Sequence, residues 1–196
     1  MVADTTVHRR DELLGAAKRL FAERGFQATS VRDIAEAMDI TAGSLYAHIE
    51  GKDDLLWEIV SAAADRFFAA VEPIAASGLV STEKLRRVIA AHVEVVTGDL
   101  TAAAVYSTEW RHLSDERRRD FASRRDAYEA LVRRLVRECI REGTFADVDE
   151  KFATLLILSS INWIYQWYRP DGPMTPEEIA RKLTDMLFNG LRRPGG

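Results

Sequence analysis

The sequence predicts an all-α fold. Apolar residues recur three and four apart along most of the 196 residues, and no alternating run is long enough for a strand. Helix starts and stops punctuate this pattern. Ser30 with Asp33 three residues on and Thr175-Pro176-Glu177-Glu178 are starts, and Gly25 and Gly143 are stops. Hydrophobic residues make up 47% of the chain, which is ordinary for a globular protein and excludes disorder.

Nine helices follow in order. The first covers about residues 8–24, with Leu13, Leu14, Ala17, Leu20 and Phe21 inward and Gly25 as its stop. In the second, Ser30 is the cap and Val31, Ile34, Ala35 and Met38 share one face. Asp39, Ile40 and Thr41 break the pattern, and Thr41 caps the third helix. That helix spends only Leu45 and Ile49 on a core; Ala42, Gly43, Ser44, Tyr46, Ala47 and His48 look outward. A Gly inside a helix costs ~1 kcal/mol relative to Ala, so Gly43 needs a reason, and close approach to another surface supplies one. Small residues at the start of a helix and hydrogen-bonding tips at its end suit insertion into a DNA major groove.

The fourth helix covers residues 52–72 and is ended or kinked by Pro73. Further helices are predicted over residues 82–97, 101–113, 114–142, 149–167 and 175–190. The domain division is placed between residues 1–56, a DNA-binding domain, and residues 57–196, a ligand-binding and dimerisation domain. No linker marks the division, so the helix of residues 52–72 is shared. A shared helix can transmit a ligand-induced shift.

The motifs of the first 56 residues resemble those of the TetR family of one-component bacterial repressors. Phe21-Ala22-Glu23-Arg24-Gly25-Phe26 corresponds to that family's Phe-Ala-x-x-Gly-Phe run. Thr29 or Ser30 to Ile34-Ala35 corresponds to its Thr-x-x-x-Ile-Ala element. Gly43-Ser44-Leu45-Tyr46-Ala47-His48-Ile49 corresponds to Gly-x-Leu-Tyr-x-His-Phe, and Lys52 to Leu55 to Lys-x-x-Leu. Ile49 stands in place of the usual Phe, and Gly51 stands where Ser or Asn is common. The resemblance implies the nine-helix TetR-like fold, with a three-helix helix-turn-helix domain first. It also implies double-stranded operator DNA as a partner. Thr41, Ala42 and Ser44 are then expected at base edges, with Gly43 allowing close approach. Tyr46, His48, Lys52, Thr29 and Ser30 are expected at phosphates. Arg9, Arg10 and Arg32 are the other positive groups near this face.

The charge is unusual for such a partner. The whole chain carries −4, and residues 1–57 hold seven Lys or Arg against ten Asp or Glu. Phosphate attraction acts locally, so weak non-specific binding and reliance on a few contacts are expected.

The second half resembles the TetR branch that includes the mycobacterial repressor of cholesterol catabolism and regulators of fatty-acid degradation. Glu109-Trp110-Arg111, Arg125-Asp126-x-Tyr128, Gly143-Thr144-Phe145, Asn162-Trp163 and Trp167-Tyr168-Arg169-Pro170-Asp171-Gly172-Pro173 carry this resemblance. It implies an acyl-CoA thioester as effector and no bound cofactor. In the cholesterol-related member, an Arg and a Trp four residues apart on the penultimate helix serve the ligand. Here Trp163 matches the Trp, and Ser159 stands at the Arg position. Trp110, Arg111 and Trp167 complete the expected ligand set, although Trp167, one turn from Trp163, reads equally as core or dimer interface. The helix of residues 115–142 holds nine Arg among seven acids, a mixture most often found on a solvated face.

Leu155, Leu156, Leu158, Ile161 and Ile164, with Ile179, Leu183, Met186, Leu187 and Leu191, coat the last two helices so widely that partners are needed on more than one side. A homodimer is expected there. The single Cys139 has no internal disulfide partner and fits a reducing compartment. No apolar run follows the start, so no secretory signal is expected. The apolar stretch 152–165 is shorter than the ~20 residues that span a bilayer. A buried helix, no membrane contact and a cytoplasmic location are expected. The four His are scattered without metal spacing, and no Gly-rich phosphate loop or Gly-x-Ser-x-Gly is present. No metal site, no catalytic residue and no enzyme activity are therefore expected. The alternatives are a regulator of a drug-efflux pump and a helical acyl-CoA-binding protein without DNA binding.

Overall fold

Caps and glycines set the element boundaries. The computed structural model describes residues 2–46 and 49–191, with side chains over 9–46 and 49–190. The helices are α1 (Val2–Arg24), α2 (Val31–Ala37), α3 (Ala42–Tyr46), α4 (Lys52–Ala76) and α5 (Ser81–Gly98). They continue with α6 (Leu100–Thr108), α7 (Asp115–Arg141), α8 (Glu150–Asn162), α9 (Ile164–Trp167) and α10 (Pro176–Leu191). Counting the single turn α9 with α8 gives nine helices, and no strand occurs among the described residues. Gly25 and Gly143 end α1 and α7 in the left-handed region, at φ 82° and 74°, where a side chain would be strained. Asp149 caps α8 by accepting the Phe152 N–H at 2.8 Å. Thr175 and Glu178 close a reciprocal box at the start of α10.

Three boundaries differ from expectation. The first helix begins at Val2, because no Gly or Pro stands between Val2 and His8. Pro73 lies inside α4, which runs one further turn to Ala76. The helix expected over 101–113 tightens after Thr108 into a 3₁₀ turn, Glu109–His112. The helix expected through Trp167 is also broken. At Trp163 the backbone leaves helical values (φ −82°, ψ −4°), and the next bond, Gln166 N–H to Trp163 O, is a tighter i→i+3 one.

The chain divides into two compact units, Met1–Ala64 with Thr101–Ala122, and Asp65–Leu100 with Ser123–Gly196. Helices α4 and α7 each contribute residues to both. The first unit therefore includes a segment, 101–122, that lies far along the chain from the helix-turn-helix. Its core joins Leu13, Ala17 and Phe21 of α1, Ile34 of α2, Leu45 of α3 and Leu55 of α4 to Val105, Leu113 and Phe121. Leu14, Val31, Met38, Trp57 and Trp110 pack against it, half-buried. Burying a Leu or Phe side chain contributes roughly 1.5–3 kcal/mol, so a short helix such as α3 is held by Leu45 far more than by its own propensity.

In the second unit α5 is central. Its Leu85, Val88, Ile89, Val93 and Val96 are buried, and α8, α9 and α10 pack on it. Arg86 lies over the Phe188 ring of α10, 5.2 Å from its centroid, and pairs with Asp185. Cys139 is buried, and burial with Glu142 and Glu138 nearby pushes its thiol up to about 12, so it is inert. No single helix among the described residues is long and apolar enough to cross a membrane.

The buried face of α5 has two polar members, Ser81 at its start and His92 in its middle, the latter 2% exposed. Burial pushes its imidazole down to about 3 from 6.5, with the Asn162 side chain opposing. Because the folded value is depressed, the unfolded chain takes up a proton between pH 6.5 and 3 that the folded chain refuses. Stability is full above pH 6.5 and declines as the pH falls through that window, by at most about 1.4 kcal/mol per pH unit. Unfolding midpoints recorded from pH 7 to 4 should fall for the parent and fall less for His92→Phe. Identical profiles would show that another group controls the acid limb.

Candidate nucleic-acid interface

The α2–turn–α3 segment is fixed by its own side chains. Ser30 Oγ accepts the Asp33 N–H at 3.1 Å, and the Asp33 carboxylate accepts the Ser30 N–H at 2.6 Å. Ser30 Oγ–H also donates to Asp33 Oδ2 at 2.6 Å, and this bond, followed by the one from the Ser30 N–H, holds the Asp33 carboxyl below its usual range. Asp39 adopts φ 55°, a left-handed conformation that Asp tolerates better than most residues, and turns the chain toward α3. Thr41 Oγ1 accepts the Ser44 N–H at 3.2 Å and starts α3.

This geometry directs Leu45 and Ile49 inward, at 0% and 6% exposure, and leaves the rest of the α3 surface outward. Thr41, Gly43 and Tyr46 are exposed, and Ala42 and Ser44 are half-buried at the rim. A Cβ built on Gly43 would meet nothing of the chain closer than Thr41 Oγ1, at 4.0 Å. Nothing inside the protein therefore requires Gly at that position. Arg9, Ser30 and Arg32 are exposed nearby. His48 and Ala47 lie outside the described residues.

Three residues expected at this face are engaged elsewhere. Thr29 is 1% exposed, and its hydroxyl donates to the carbonyls of Gly25 (2.9 Å) and Leu20 (3.3 Å). It closes the α1–α2 turn from inside, so its hydroxyl does not face outward. Arg10 forms a forked ion pair with Glu58 of α4. Lys52 donates to the carbonyls of Phe26 (2.7 Å) and Thr29 (2.8 Å), and its ammonium lies 4.2 Å from the Phe26 ring centroid. Partial burial draws its pKa down, with Asp33 opposing. Lys52 is thus an internal pin, and one of its three N–H bonds is not used in these two contacts.

Phe26 is held from the other side by the segment 101–122. Its N–H donates to Glu109 Oε2 at 2.8 Å, and its ring stacks on His112 with centroids 5.8 Å apart. Further along, Arg117 spans the Asp53 and Asp54 carboxylates, and Asp53 Oδ1 also accepts the Ser114 N–H at 3.0 Å. Arg117 draws the Asp54 carboxyl below its usual range, helped by the Glu50 and Gly51 N–H groups. Sequence reading missed Glu109, His112, Arg117, Asp53 and Asp54. The adjacent pair Asp53-Asp54 at a helix start was its only trace, and helix-dipole compensation accounts for such a pair equally well.

Of the five expected ligand residues, Trp110 and Arg111 belong to the first unit and Ser159, Trp163 and Trp167 to the second. Trp110 packs on Phe121 in the first unit, and Arg111 lies over the Trp110 ring, 5.3 Å from its centroid. Ser159, Trp163 and Trp167 belong to the second unit and are exposed, Trp163 at 60%. Phe152, Leu155, Leu156 and Met186 are exposed as well, so α8 is not the fully buried helix expected. Most α7 arginines are paired, Arg118 with Asp115, Arg124 with Asp65, Arg133 with Glu129 and Arg137 with Glu150.

Residues 13–59 match the family described as bacterial regulatory proteins, tetR family, and residues 78–191 match the tetracyclin repressor-like C-terminal domain. The chain is 34% identical over 189 residues to the HTH-type transcriptional repressor KstR2 of Rhodococcus jostii, covering 95% of this chain and 92% of that protein. It is similar to the solved structure of the ketosteroid transcriptional regulator KstR2 of Mycobacterium tuberculosis. The TM-score is 0.89 at 30% identity, with 95% and 96% of the two chains covered. It is also similar to AibR in complex with isovaleryl coenzyme A and operator DNA. There the TM-score is 0.82 at 29% identity, with 90% and 96% covered.

Two substitutions separate the surface from the pins. Gly43→Ala should leave urea stability equal or raise it by up to ~1 kcal/mol. It should also weaken binding to a duplex selected from a random library by about tenfold, or about 1.4 kcal/mol. Retained affinity would mean that α3 does not approach DNA at Gly43. Lys52→Ala removes two hydrogen bonds made by a charged donor. It should lower the unfolding free energy by about 2 kcal/mol and weaken binding to every duplex. An unchanged urea midpoint would contradict the pin.

Proposed function

The chain belongs to the TetR family of bacterial regulatory proteins, and on that premise we propose that it is a dimeric repressor released from a palindromic operator by an acyl-CoA thioester. It is a regulator rather than an enzyme, as its named relatives are transcriptional repressors. The observation that carries the effector is the likeness to a protein solved with both isovaleryl coenzyme A and operator DNA. The likeness to KstR2, a ketosteroid transcriptional regulator, over nearly the whole chain supports a repressor of a lipid-related catabolic function.

In this reading α3 enters the major groove with Thr41, Ala42 and Ser44 at base edges. Ser30, Arg32 and Tyr46 lie at phosphates, and Lys52 fixes the turn that presents them, with its remaining N–H toward the backbone of the DNA. The exposed apolar surface of α8, α9 and α10, including Trp163 and Trp167, is the dimer face. Six large apolar side chains exposed on these helices, Phe152, Leu155, Leu156, Trp163, Trp167 and Met186, suit an interaction surface. A two-fold pair through these helices sets two α3 helices roughly 34 Å apart, one turn of DNA. Effector binding in the second unit displaces α7, and α7 carries Arg117 into the first unit. The clamp on Asp53 and Asp54 then loosens, and α3 loses its bearing. The effector need favour the released state by only about 1–3 kcal/mol.

The dimer face is tested by Leu156→Arg. Sedimentation should show a monomer, with operator affinity reduced at least tenfold; a persisting dimer would place the interface elsewhere. The effector is tested by titrating straight-chain, branched and ring-bearing acyl-CoAs, with their free acids, into the protein–operator complex. Release by one or more thioesters, at 5- to 150-fold lower operator affinity, is the expected result. A complex that survives every thioester would sink the effector assignment.

A further inference from the structure

The outward side chains of α3 limit which feature of a base they can read. Among the described residues from the cap Thr41 to Tyr46 there is no Arg, Lys, Asn or Gln. Those four side chains make the forked hydrogen bonds that select guanine (Arg, Lys) or adenine (Asn, Gln) in the major groove. Ser44 is indifferent, because a hydroxyl both donates and accepts. Forked hydrogen-bond readout is therefore closed to this stretch. The base-specific group that remains is the C5-methyl of thymine, which apolar contact from Ala or from a Thr methyl recognises.

Thr41 is placed for that contact. The residue is exposed, yet its Oγ1 turns to the helix and accepts the Ser44 N–H at 3.2 Å. A threonine Cβ carries one oxygen and one methyl in staggered positions. With the oxygen committed to the helix, the methyl is what the exposed side chain presents. The cap does not call for that methyl, since Ser caps a helix at least as well as Thr, and Ser30 does so at α2. Ala42 is half-buried and packs against the core of the first unit, which leaves Thr41 as the outer apolar group. At Gly43 a Cβ would meet nothing of the chain nearer than Thr41 Oγ1, at 4.0 Å. Without a side chain there, a base edge can come up to the Thr41 methyl. Arg32, exposed on α2, is a side chain of this face able to fork onto a guanine, so a guanine contact has to be told apart from a thymine one.

We propose that α3 reads its operator through thymine methyl groups, with the Thr41 methyl as the specificity-determining contact. This rests on the operator reading above and narrows it to half-sites that carry a thymine against Thr41. Burying one methyl group corresponds to about fourfold in affinity, and a two-fold operator loses it twice, about fifteenfold.

The test starts from duplexes that the full-length protein enriches from a random library. Each thymine is replaced in turn, in both half-sites together, by deoxyuridine, which removes the C5-methyl and keeps every hydrogen-bonding group. Each guanine is likewise replaced by 7-deazaguanine, which removes N7. For the parent, deoxyuridine at one thymine position should weaken binding about fifteenfold. Thr41→Ser keeps the cap and loses the methyl, so it should bind the thymine and deoxyuridine duplexes equally. Thr41→Val keeps a methyl and loses the cap, so its thymine preference should persist even where stability falls. The preference is read as a ratio within each variant, so a loss of folding or of overall affinity cancels. No sensitive thymine position, or a preference unchanged in Thr41→Ser, would overturn the proposal. Losses confined to the 7-deazaguanine duplexes would overturn it and leave the operator reading standing. If no duplex is enriched, the operator reading falls and the proposal with it.

Discussion

Phe26 is the residue on which the first unit turns. It follows Gly25, whose left-handed backbone ends α1, and every part of it is held. Its N–H is taken by Glu109, its carbonyl by Lys52, and its ring by Phe21, His112 and the Lys52 ammonium. Those partners come from positions 26 and 83 residues away along the chain. One short turn therefore ties α1, the start of α4 and the 3₁₀ turn after α6 together. The exposed face of α2 and α3 is presented from this point. Hydrogen bonds to charged partners are roughly twice as strong as neutral ones, which makes a tie of this kind firm, yet one carboxylate and one ammonium can also be released by a small displacement.

Much of the architecture was legible because it is local. Ser30 with Asp33, Thr41 with Ser44, Asp149 with Phe152 and Thr175 with Glu178 are caps within three residues, and the structure closes each of them. The inward faces of α1 and α2 followed from spacing. The unread parts are long-range. Nothing in residues 50–56 announces that Asp53 and Asp54 will meet Arg117, some sixty residues on. Thr29 and Lys52 matched motif positions of a DNA-binding surface, but burial turned the Thr29 hydroxyl and two Lys52 hydrogen bonds inward. The Trp163 and Trp167 pair shows a similar limit. Two indoles one turn apart suit a core, an interface or a pocket wall alike, and the structure adds that both are exposed on the single chain.

The energetics divide the chain into places that stabilise the fold and places that do not. Leu45, Phe21 and Ile89 are fully enclosed, and replacing any of them by Ala would cost several kcal/mol. Gly43 and the outward aromatics of α8 and α9 add nothing to stability in the isolated chain. Local rules are broken where function lies. In the proposed reading these places meet partners: DNA at α3 and a second copy at α8 to α10. Of the acids in residues 1–57, Asp33 serves the α2 cap, and Asp53 and Asp54 serve the Arg117 clamp.

The central claim is that operator binding and effector release are coupled through segment 101–122, whose grip combines the Arg117 clamp on Asp53 and Asp54 with the Glu109 bond to the Phe26 amide. Hydrogen exchange of the Phe26 amide, resolved by NMR, reports that grip directly. The amide should be protected in the operator-bound protein and lose protection when a releasing effector is added, while the amides of the α1 core keep theirs. Protection of Phe26 that does not change between operator-bound and effector-bound protein would contradict the account.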